Sequence, residues 1–176
     1  VETVLDTAAR LASAAGCHIR DVSLPDPFSK LADAQALIVD VEAARSAAHD
    51  LNVHRERVSE SFVKRAEAGL ATTAENYDAA LGITERARGA LNAALDGLDV
   101  LLCPSAPGQA PEGLHATGDP IFNRTGTALR VPCINVPGLC GSSGLPIGVQ
   151  VLGRLNDDRR VLAAAHWLRG VLRRGV

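Results

Sequence analysis

Along the first hundred positions apolar residues recur every three or four places. Val4, Leu5, Ala8, Leu11, Ala12 and Ala15 form one stripe, and Gly16 follows where a left-handed cap would end it, which predicts a helix over 2–15. From His18 to Leu24 β-branched and polar residues mix ahead of Pro25, the pattern of a short strand. Asp26-Pro27 has the form of an N-cap and first-turn pair opening a helix to about His49, with Leu31, Ala34, Ile38, Val41 and Ala48 inward. Glu42 lies at the edge of that stripe, where a carboxylate held by an arginine or amide is expected before a catalytic one. Val58, Phe62 and Ala66 mark another helix ending near Gly69. Thr72-Thr73-Ala74-Glu75 then has the form of a capping box. The helix it opens carries Tyr77, Leu81, Thr84, Leu91 and Leu95 on one side and stops at Gly97.

At residue 98 the pattern changes. Asp99-Val-Leu-Leu-Cys-Pro104 reads as a strand buried on both faces, and Val131–Val136 and Ile147–Leu152 as two more. Residues 104–130, with four prolines and four glycines, read as one long loop; such loops inside a compact domain usually line a binding site. Asp157-Asp158 starts a last helix with Val161, Leu162, Ala165, Leu168 and Leu172 inward. Residues 1–97 are thus mainly helical, and 98–176 hold the strands, the loop and the final helix.

Composition narrows the classes. The chain has 176 residues, is 47% hydrophobic, and sets 18 basic against 20 acidic residues, which offers no electrostatic footprint for nucleic acid or an anionic membrane. No apolar run approaches the length of a membrane helix. Cys17, Cys103, Cys133 and Cys140 lack metal-site spacing, as do the five histidines, so we expect reduced thiols, no metal or other cofactor, and a cytoplasmic protein. The absence of methionine and the start inside a helical pattern lead us to expect a piece of a longer protein.

Candidate nucleophiles are few. Cys140-Gly-Ser-Ser-Gly-Leu-Pro offers Ser142 and Ser143, for which His115 or His166 with Asp119 or Asp157 would have to supply a base. A strand follows these serines, whereas a nucleophile elbow leads into a helix, so a turn is the expected reading. Lys30 and Lys64 sit on helices with surface patterning, away from any desolvated pocket. Cys103, at a strand end before a proline, has no histidine nearby in sequence.

Four ordered blocks carry a resemblance: Asp99-Val-Leu-Leu-Cys-Pro-Ser-Ala-Pro-Gly-Gln-Ala-Pro111, Gly118-Asp-Pro-Ile-Phe-Asn-Arg-Thr-Gly-Thr127, Val131-Pro-Cys-Ile-Asn-Val-Pro137 and Gly144-Leu-Pro-Ile-Gly-Val-Gln-Val-Leu-Gly153. With Val41-Glu-Ala-Ala44, Glu67-Ala-Gly69 and Tyr77-Asp-Ala-Ala80 upstream, nearly the whole chain resembles the C-terminal part of the amidase signature family. The resemblance implies α/β architecture: residues 1–176 as the C-terminal portion of a single α/β/α layered domain with a twisted mixed sheet. It also implies hydrolysis of carboxylic amides, without a metal, through a lysine, a bridging serine held by a cis peptide and a nucleophilic serine.

That Ser-Ser-Lys signature belongs to the N-terminal half of family members and is absent here, so no catalytic residue transfers and the chain alone is expected to be inactive. Asp119, Phe122, Asn123, Thr125 and Thr127 are the expected substrate-pocket residues, although Asn123 and Thr125 equally suit local caps. The implied partners are a small-molecule amide and the missing N-terminal half. Self-association is expected where strands lack neighbours, and neither nucleic acid nor membrane is implied. The alternatives are a non-catalytic binding protein derived from the family and the A-type subunit of a transamidation complex.

Overall fold

The computed structural model describes residues 2–175. The chain forms two compact units, one comprising the residues up to Leu24 with those from Leu91 onward, the other Pro25–Ala90.

The first unit is built on three strands, β1 (Leu101–Pro104), β2 (Cys133–Cys140) and β3 (Pro146–Leu152), in the order β1-β3-β2 and antiparallel throughout. Two helices, α1 (Glu2–Ala14) and α7 (Asp158–Gly175), supply the apolar stripes that cover one face. Val136, Leu139, Val149 and Val151 from the sheet meet Ala8, Ala12, Val161, Ala165, Leu168 and Leu172 there. Val136 and Leu139 share that face because a bulge between Pro137 and Leu139 inserts one residue and resets the alternation. Gly138 sits in the bulge at φ +147°, and a Cβ there would stand 3.0 Å from that of Leu172.

Three expectations give way to other arrangements. Residues 18–24 do not form the expected strand: among the described residues no strand pairs with them, and Arg20 instead donates to the Asp96 carbonyl at 2.8 Å. In α7 Leu162 is 59% exposed, and Val171 takes a buried place instead. The expected loop 104–130 is shorter, since Ile121–Leu129 is helical (α6, numbered after the helices of the second unit) and ends in a left-handed Arg130 at φ 57°.

The second unit contains α2 (Leu31–Ser46), α3 (Ala48–Val53), α4 (Glu60–Ala71) and, up to Ala90, α5 (Ala74–Ala94). The single helix expected from Asp26 to His49 breaks twice. The Ser29 hydroxyl bonds the Asp26 carbonyl at 2.8 Å and closes a 3-10 turn at 26–28. The Ser46 hydroxyl bonds back to the Glu42 carbonyl at 2.8 Å, and the helix gives way at Ala47. The cap of α5 lies one residue later than the Thr72 box: Thr73 Oγ1 accepts from the Asn76 amide at 3.2 Å, while Thr72 donates to the Ala68 carbonyl.

Glu42 accepts from the Tyr77 hydroxyl at 3.1 Å, with Arg45 4.7 Å above the Tyr77 ring, so its partner is a phenol. Burial and that hydrogen bond raise the Tyr77 pKa, which keeps the hydroxyl a donor. The backbones of α2 and α4 come together at Gly69, where a Cβ would lie 2.1 Å from the Asp40 carbonyl oxygen.

Two substitutions probe this packing in urea melts followed by circular dichroism. Leu172→Ala is expected to destabilise by about 2–5 kcal/mol and Leu162→Ala by less than about 0.5 kcal/mol; equal losses would contradict the assigned inner face of α7. Gly69→Ala is expected to cost about 3 kcal/mol or more, because backbone must move to admit the methyl.

Candidate functional site

The second face of the sheet carries the polar chemistry. Alternation along β3 puts Gly148, Gln150 and Leu152 opposite the apolar core, and the register aligns Cys103, Gln150 and Asn135 across the three strands. Gln150 is 3% exposed and donates through Nε2 to Cys103 Sγ at 3.7 Å. Burial pushes the Cys103 thiol up to about 11; the Gln150 hydrogen bond opposes the rise and the neighbouring Cys133 adds to it. Burial also raises the Cys133 thiol. Cys103 is therefore a neutral thiol at ordinary pH and not a poised nucleophile.

Over this face lies α6. Gly126 permits the approach, since a Cβ there would stand 2.3 Å from Cys133 Sγ and 3.8 Å from Leu152 Cδ2. Phe122 and Thr125 are half-buried on the same side of the helix as Gly126, whereas Asn123 and Thr127 are exposed on another. Asp119, exposed, precedes the helix and accepts from the Ile121 amide at 3.0 Å. Thr125 Oγ1 donates to the Ile121 carbonyl at 3.4 Å and Thr127 Oγ1 to the Asn123 carbonyl at 3.0 Å. The five expected pocket residues thus share one helix and its lead-in but divide between its two sides. Both threonine hydroxyls are engaged by the helix itself.

Ser142 and Ser143 lie in an exposed turn between β2 and β3. The Gly141 amide donates to the Leu145 carbonyl at 2.9 Å and the Gly144 amide to the Gly141 carbonyl at 3.0 Å. Among the described residues no hydrogen bond joins either serine to a histidine. Asp157 is paired with Arg160 at 2.8 Å, and Lys64 with Glu60 at 2.7 Å on the surface. The Gly-Ser-Ser-Gly stretch is a turn before a strand, as expected.

Two residues escaped the sequence reading. Gln150 had a visible signal, a single amide inside an apolar strand. Gln109, whose side chain reaches the Ser142-Ser143 turn, had none, because its partners lie more than thirty positions away. Among the described residues no cluster of three or more histidine, cysteine or acidic side chains could hold a metal ion, and no helix is long and apolar enough to cross a membrane.

Iodoacetamide at pH 8 tests the thiol assignment. Only about a thousandth of Cys103 is thiolate at that pH, so it should label far more slowly than exposed Cys140 and accelerate as pH rises toward 11. Equal labelling in the folded protein would contradict the buried neutral thiol.

The family described as Amidase matches over residues 1–162. The A-type subunit of the glutamyl-tRNA(Gln) amidotransferase of Desulforapulum autotrophicum is 28% identical over 198 aligned residues, covering 96% of this chain and 40% of that protein. The corresponding protein from Synechococcus sp. strain CC9902 is 40% identical over 83 residues, covering 43% of this chain and 17% of the relative. A solved structure described as an amidase superposes with a TM-score of 0.84 at 30% identity, over 96% of this chain and 42% of that one. The chain therefore spans less than half the length of these relatives.

Proposed function

Because the chain belongs to the Amidase family, we propose that it is the C-terminal portion of an enzyme that hydrolyses carboxylic amides, with the nucleophile and its lysine supplied by the rest of the parent. The observation that carries this reading is the superposition of 96% of the chain on 42% of an amidase at 30% identity. The local chemistry supports it: Ser142 and Ser143 are turn residues, Cys103 is a neutral thiol, and Lys64 is an exposed, paired cation.

In this reading the chain contributes a wall. The sheet fixes α6, and α6 with its lead-in presents Asp119, Asn123 and Thr127 on its exposed side toward the amide substrate, with Phe122 at the edge and Thr125 turned to the sheet. Asn123 and Thr127, exposed side by side, suit hydrogen bonding to a polar amide, and half-buried Phe122 suits its apolar part. The amidotransferase relatives favour a second reading, in which the parent is the A-type subunit of a transamidating assembly and its amide is glutamine.

A graft tests the proposal. Residues 1–176 replace the corresponding segment of the related amidase, and ammonia release from primary amides is measured alongside the isolated chain. The graft should hydrolyse amide and the isolated chain should not; turnover by the isolated chain would overturn the placement of the catalytic groups elsewhere. In the graft, Asn123→Ala and Thr127→Ala should raise KM roughly tenfold with kcat little changed if these side chains bind ground state and transition state alike. An unchanged KM in both would remove them from the pocket.

A further inference from the structure

The loop between β1 and α6 has two unlike halves. Near its start the Ser105 hydroxyl donates to the Gly148 carbonyl at 2.8 Å, and Gln109 is half-buried. From residue 110 to 120 every residue is exposed, and Leu114 is completely so.

Gln109 stands at the junction. Its Oε1 accepts from the Ser143 amide at 3.3 Å and the Leu145 amide at 3.2 Å, and its Nε2 donates to the Ser142 and Ser143 hydroxyls at 3.4 Å each. Opposite it, Gly141 leaves the room: a Cβ there would lie 2.3 Å from Gln109 Cδ. The seat therefore matches the amide at its acceptor end, at its donor end and in shape.

We propose that Gln109 is a latch, seating a strap of residues 105–120 on the turn between β2 and β3, and that the strap has a second state in which the seat is empty and its exposed half is released. The latch is reversible on physical grounds. It carries no charge, its hydrogen bonds are long, and its partners lie in an exposed turn where water competes for each. The turn also has two backbone bonds of its own that do not involve Gln109. Gly113 at φ +85° and Gly118 at φ +94° give the released half backbone positions that other residues rarely adopt. Asp119 ties the far end to α6, so Gln109 is also a positioning residue for the substrate side of that helix; this consequence rests on the amidase reading, and the latch itself does not.

Hydrogen–deuterium exchange on the full chain decides it. Gln109→Ala should speed exchange at the Ser143 and Leu145 amides by about tenfold, with Val149–Leu152 unchanged. Gln109→Glu keeps the acceptor but loses the donor, and should fall between. Gly141→Ala leaves Gln109 intact but fills its seat, so it should reproduce the Gln109→Ala rates, and the double variant should add nothing. Wild-type exchange at Ser143 and Leu145 in both single alanine variants would overturn the latch. Faster exchange throughout the three strands would also overturn it, since Gln109 would then belong to the stability of the sheet. A graft that fails to hydrolyse amides would sink the functional reading and leave the exchange result standing.

Discussion

Strand β3 has a neighbour on each edge and a packed layer on each face, and this double enclosure governs the unit around it. Along nearly its whole length β2 pairs with it, β1 pairs along Val149–Leu152, and the Ser105 hydroxyl donates to the Gly148 carbonyl, so its buried residues need no water. Its side chains alternate between two interiors, which demands apolar residues at nearly every place. Val149 and Val151 face the helical layer of α1 and α7, while Leu152 meets α6. The one amide in the strand, Gln150, is accommodated because Cys103 on the adjacent strand accepts from it.

The other features follow from what β3 excludes. A helix can lie on its second face only where side chains give way, and Gly126 provides that opening. The bulge in β2 returns Leu139 to the core and places Gly138 beneath Leu172. Arg154, leaving β3, donates to the carbonyls of Leu95 and Leu98 and fastens the segment that leads into β1. These are contacts of shape and hydrogen bonding. Exposed ion pairs such as Arg160–Asp99 add little to stability in water.

In the helical unit small residues take the part that Gly126 takes in α6. Ala34, Ala44 and Ala66 are buried, and Gly69 lets α4 reach the backbone of α2. The periodicity of α2 was legible, but its ends were not. Asp26-Pro27 signals a start in sequence, yet a serine hydroxyl three residues on diverts that turn, and Ser46 interrupts the other end in the same way. Hydroxyl groups choose between capping, back-bonding and solvent only once the local backbone is set.

Apolar periodicity and ordered motif blocks are properties of the linear chain, and from them the α/β class, the family, the three strands from 100 onward and the final helix could all be read. Gly-Ser-Ser-Gly was legible as a turn for the same reason, since the strand behind it is written in the next eight residues. Folding in three dimensions was needed to settle that residues 18–24 stay unpaired, that part of the proline-rich loop is the helix α6, and that Gln109 seats against Gly141. A strand exists only where a second backbone offers its hydrogen bonds. A helix as short as α6 is marginal without a surface to lie on, and an amide finds its partners across thirty residues of chain only when the fold has brought them there.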